Sequence, residues 1–111
     1  MKISRLEELP KGFDYLDSEP FSQSEFDYIK TFGIDEIWYW YGSGSYEGAG
    51  QILMRKGKLY DLHNCGHCSC YGPTQDVAFN GKPLDKLVKS LSEDLFKEVE
   101  ELLKMAGYES K

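Results

Sequence analysis

Apolar residues return at helical spacing near the end of the chain: Leu84, Leu87, Val88, Leu91, Leu95, Val99, Leu102, Leu103 and Ala106. Pro83 stands at the start of this run and Gly107 just past its end. Proline tolerates the first helical turn and glycine the turn that stops a helix, so the pattern predicts a C-terminal helix over 83–106 with one buried face. The other face carries Asp85/Lys89, Glu93/Lys97 and Glu100/Lys104, four apart in the favourable order, which is surface support rather than a site. Ser90-Leu91-Ser92-Glu93 has capping-box spacing, so a break near Ser90 is the alternative to the continuous helix adopted here.

A different period marks residues 34–41 (IDEIWYWY), which are aromatic and β-branched. Strand alternation puts Ile37, Tyr39 and Tyr41 on one face and Trp38 with Trp40 on the other. Both rows are large and apolar, so a central strand buried on two sides is expected, with the option that one row lines a cleft. Residues 51–56 and 58–63 read as two strands of a hairpin around Gly57. A turn at Lys56-Gly57 would set Arg55 against Lys58, so we prefer a three-residue turn that pairs Met54 with Lys58. The expected core is Ile37, Tyr39, Ile52, Leu53, Leu59, Leu62 and the helix leucines.

The N-terminal third is broken by Pro10, Gly12, Pro20 and Gly33. Short helices are expected there, one from the capping spacing Ser4-Arg5-Leu6-Glu7. A second follows Ser24-Glu25-Phe26-Asp27, with Phe26, Ile29 and Phe32 on one face. Gly72-Pro73, Asn80-Gly81 and Pro83 mark a loop with one short extended piece at 77–79. The sum is a single α+β domain over 1–111. It has a small antiparallel sheet of three or four strands, a long C-terminal helix on one face and short N-terminal helices at its edge.

Composition narrows the function classes. A chain of 111 residues has one core's worth of buried surface. Nineteen acidic against thirteen basic side chains give a net charge of −6, which opposes adhesion to nucleic acid or anionic lipid and permits an acidic mimic that fills a basic groove. No apolar run reaches the roughly 18–20 residues of a membrane span, and 1–10 has no secretory pattern, so a cytoplasmic protein is expected. All three cysteines fall within 65–70, which fits a reducing compartment and excludes a long-range disulfide staple.

Both histidines share that window: His63-Asn64-Cys65-Gly66-His67-Cys68-Ser69-Cys70-Tyr71. Cys65-x-x-Cys68 has zinc-knuckle spacing, and His67, Cys68 and Cys70, with Cys65 or His63, are the candidate metal ligands, completed by Asp61 or Asp76. Packed loop cysteines need no metal, and a reactive thiol at Cys68 or Cys70 with His67 or His63 as base is the third reading. The glycine stretch 42–50 lacks the Gly-x-Gly-x-x-Gly and Gly-Lys-Ser/Thr patterns that cradle phosphates, and a strand follows it rather than a helix. It is read as a rim loop with Tyr46 and Glu47 as contacts, or as a plain hairpin connection.

Trp38-Tyr39-Trp40-Tyr41, Tyr46-Glu47-Gly48-Ala49-Gly50 and Gly66-His67-Cys68-Ser69-Cys70-Tyr71-Gly72-Pro73 together resemble a group of small uncharacterised accessory proteins of bacteria and their phages. The resemblance covers 37–73 and carries no activity. It implies an intracellular accessory protein, phage-borne, that binds and neutralises a host factor. The expected function is therefore a non-enzymatic binding protein holding a host protein or a small nucleotide-like molecule. Its expected rim is Tyr46, Glu47, Gly48, His67, Cys68 and Tyr71, since the two loops flank one hairpin and leave it at the same end. A zinc-stabilised interaction module and a small Cys/His enzyme are the alternatives, with no cofactor or zinc alone. A homo-oligomer through the aromatic strand is a further possibility.

Overall fold

The computed structural model describes residues 1–7, 21–44, 47–67 and 77–109. Its centre is the aromatic strand, β2 (Glu36–Gly44), flanked by β1 (Lys2–Arg5) and β3 (Glu47–Lys56), with β4 (Leu59–His67) beyond β3. Three helices complete it: α1 (Gln23–Lys30), α2 (Leu84–Ser90) and α3 (Glu93–Met105). The α+β class is as expected.

Both rows of β2 are buried, which a central strand with large side chains on each face requires. Ile37, Tyr39 and Tyr41 join Ile52, Met54 and Cys65 beneath Phe21, Ile29, Ile34 and Val77. Trp38, Trp40 and Leu53 pack on the opposite face against Leu87, Val99, Leu102 and Leu103. The sheet is thus covered on both sides, and α1 lies on the face opposite the C-terminal helices rather than at the sheet's edge. Full burial of each such side chain contributes about 1.5–3 kcal/mol.

Several expectations are corrected. Residues 2–5 form a strand, not a helix start: Ile3 pairs with Ile37 in parallel, making the sheet mixed, and Lys2 and Leu6 donate N–H to the carbonyls of Asp35 and Tyr39 at 3.1 and 2.7 Å. The open edge of β2 outcompetes a capping spacing with no apolar helical run behind it. The C-terminal helix is broken. Leu91 is extended (ψ 142°), and Ser92 caps α3 by accepting the Leu95 N–H at 3.2 Å. The break lets α2 lie against β4 while α3 crosses β2 and β3.

The hairpin turn is the pair Gly57-Lys58, with Lys56 opposite Leu59 and Arg55 opposite Tyr60. That register keeps Arg55 away from Lys58. Gly57 takes the left-handed conformation (φ 61°), its N–H donates to Asp35 Oδ2 at 2.7 Å, and Arg55 Nη1 donates to its carbonyl at 2.9 Å. Leu59, at the end of this hairpin, is 43% exposed and leaves the core list. In place of an extended piece at 77–79, the structure has one isolated bridge between Tyr60 and Lys82.

Candidate functional site

The glycine stretch is largely strand. β2 runs to Gly44 and β3 begins at Glu47, so Gly42 pairs with Ala49, Ser43 with Gly48 and Gly44 with Glu47. β4 likewise runs on through Cys65 to His67, with Gly66 opposite Ala49 and His67 opposite Gly48. The ladder therefore brings the backbones of the glycine and histidine-cysteine stretches side by side. Tyr46, Cys68, Cys70, Tyr71 and Asp76 lie outside the described residues.

Strand alternation now sets two cross-sheet rows on the α3 face. Trp40, Gln51 and Asn64 form one; Gly42, Ala49 and Gly66 form the next. The second row has no side chain larger than a methyl, and α3 begins above it. The result is a cleft of about 860 Å³ between sheet and helix, walled by Trp40, Ala49, Gln51, Asn64 and Gly66 below and by Ser92, Asp94, Leu95, Lys97 and Glu98 above. Gly50, between the rows, must be glycine: a Cβ there would lie 2.2 Å from the Trp40 carbonyl oxygen and 2.8 Å from Tyr41 Cδ2.

The polar contacts converge on Gln51, which is 5% exposed. Its Nε2 donates to Asn64 Oδ1 and, at 3.0 Å, to Glu98 Oε2, tying β3 to β4 and to α3. Its Oε1 is buried and has no hydrogen-bond partner. Burial raises the Glu98 carboxyl above its ordinary range, and the Gln51 hydrogen bond offsets only part of this. Gln51, Asn64 and Leu95 also wall a second hollow of about 290 Å³, toward α2, that reaches Asp61, His63 and Lys82. The bridge from Gln51 to Asn64 and Glu98 thus stands between two hollows.

The remaining predicted residues fall elsewhere. Cys65 is 1% exposed and belongs to the core on the α1 face. His63 is half-buried, with Nδ1 2.8 Å from the Asn64 carbonyl oxygen. Asp61 is committed locally, its Oδ2 accepting the Asn80 N–H at 2.8 Å and its Oδ1 the Leu62 N–H at 3.0 Å. Among the described residues no group of three or more His, Cys, Asp or Glu is placed to hold a metal ion. No described helix is long and apolar enough to cross a membrane.

Gln51, Asn64, Glu98 and Ala49 were not singled out from the sequence. The signal was there in Glu98, a carboxylate three after Leu95 and four before Leu102 on the apolar stripe, and in Gln51, a polar residue opening a run of buried ones. No family model, no curated protein and no solved structure matches this chain.

Proposed function

We propose that this chain is an intracellular, non-enzymatic binding protein that holds a small hydrogen-bonding molecule in the cleft between the sheet and the start of α3. The accessory role implied by the resemblance, sequestering a host component, is the setting in which we place that activity. One observation carries the reading: an open cleft beside the paired small residues Ala49 and Gly66 ends on a buried Gln51 whose carbonyl oxygen has no partner. Concave, largely apolar sites with a few convergent polar groups are the usual form of small-molecule sites, and a buried polar atom without a partner carries a desolvation cost that a ligand relieves.

The test is native mass spectrometry of the protein purified from its own cells, beside the variant Ala49→Phe. Ala49 is exposed and belongs to the row of small residues, so phenylalanine fills the hollow without entering the core. A non-covalently bound small molecule on the wild type that is missing from the variant is the expected result. A wild type that carries no small molecule and instead holds a protein through residues away from the cleft contradicts the reading.

A further inference from the structure

We propose that the inner end of this cleft, formed by Gln51, Asn64 and Glu98, takes the planar guanidinium group of a small organic cation. The inference rests on the cleft being a small-molecule site and names the chemistry of its ligand.

Donors and acceptors at the inner end decide the ligand's chemistry. The Glu98 carboxylate needs a donor opposite it, which fixes Gln51 Nε2 on that side, and the second hydrogen of Nε2 goes to Asn64. The inner end is left with two acceptors to offer, Gln51 Oε1 and the second oxygen of Glu98, beside one donor group, the Asn64 amide nitrogen. Neighbouring acceptors suit a fork of N–H donors held in one plane, which a guanidinium presents and an ammonium does not.

Charge points the same way. Asp94 and Glu98 face the cleft with Lys97 as the opposing cation, and Lys97 lies 3.5 Å from Glu93 in a surface ion pair. The protein as a whole carries −6. A bound cation would offset the desolvation that raises the Glu98 carboxyl, so its binding favours the ionised form. Ala49 and Leu95 supply apolar walls for the carbon chain behind the guanidinium. Gln51 Oε1 is shielded from solvent in the free chain, so binding includes a rotation of the Gln51 carboxamide that gives up its Nε2 bonds to Glu98 and Asn64, with the guanidinium replacing Nε2 as the donor to Glu98.

Ethylguanidinium and ethylurea are isosteres that share N–H donors and differ in charge. Titrated into the ¹⁵N-labelled full chain, ethylguanidinium should shift the amide signals of Gln51, Asn64, Gly66 and Glu98 saturably, and ethylurea should bind about tenfold more weakly or less well still. Glu98→Gln keeps an acceptor for Gln51 and should weaken ethylguanidinium about tenfold. Equal affinity for the two isosteres, or no saturable shift with ethylguanidinium, overturns the proposal without needing any variant. Recovery from cells of a ligand that lacks a guanidinium or amidine and is displaced by Ala49→Phe overturns it too, while leaving the small-molecule reading in place. Absence of any small-molecule ligand overturns both.

Discussion

Gln51 on β3 donates to Glu98 on α3 at 3.0 Å, and this bond fastens the middle of the last helix to the sheet. The carboxylate accepts from a buried amide yet its own acidity is weakened by burial, so the contact is a compromise between positioning and desolvation.

That compromise gives a pH dependence with a definite sign. Glu98 has a folded-state pKa above its ordinary 4.5, so the folded chain binds this proton more tightly than the unfolded chain. Its contribution is most favourable below 4.5 and is lost as pH rises through the raised value. The groups facing it are Gln51, Asn64, Asp94 and Lys97. Glu98→Gln should therefore be at least as stable as wild type at pH 7, with the difference vanishing near pH 4. Urea unfolding at the two pH values checks this; a variant clearly less stable at pH 7 contradicts it.

Gly50 and Gly57 should respond differently to alanine. At Gly50 the new Cβ meets the Trp40 backbone, which cannot give way without moving β2, so Gly50→Ala should cost several kcal/mol, about 3 or more. At Gly57 a Cβ meets nothing within 4 Å, and the left-handed conformation alone is the penalty, about 1 kcal/mol. Thermal or urea unfolding of the two variants separates them. Equal losses would mean that the β2–β3 approach is looser than described.

The outline of the fold was legible in the sequence; its couplings were less so. Alternating aromatics of residues 34–41 and the helical leucines after Pro83 announce a two-sided strand and an amphipathic C-terminal segment because burial periodicity is local. The parallel pairing of β1 is not local: Ile3 and Ile37 meet across 34 positions, and nothing within 2–5 distinguishes an edge strand from a helix start. The same holds for the site. Gly42, Ala49 and Gly66 look like loop residues one at a time, and only the register aligns them into one row, of which Ala49 and Gly66 line the hollow. Once a register pairs Lys56 with Leu59, Ala49 falls opposite Gly66 by counting, so the missed turn at Gly57-Lys58 cost that pairing, while Gly42 opposite Ala49 belongs to the separate β2–β3 register.

The helix break has its own test. Ser92 Oγ accepts the Leu95 N–H, and Ser92→Ala removes that bond at the start of α3. A loss of about 1 kcal/mol is expected, which in a domain of this size lowers Tm by about 4–8 °C. A change below 1 °C would show the cap to be replaced by solvent at no cost.

Cys65 should behave as a core residue and not as a reagent. Packed among Phe21, Tyr41 and Ile52 side chains of the α1-face cluster, its thiol is expected to resist iodoacetamide in the native protein and to label rapidly in denaturant. Peptide mapping after timed alkylation reads this directly. Fast native labelling at Cys65 would place the end of β4 outside the core.

The central claim is that the hollow beside Ala49 and Gly66, under the start of α3, is where this protein holds a small molecule. A crystal structure of the protein purified from its own cells tests it most directly. Ligand density in contact with Gln51 and Glu98 beneath the start of α3 is the predicted result; ligand bound only outside that hollow, against other elements of the fold, would contradict it.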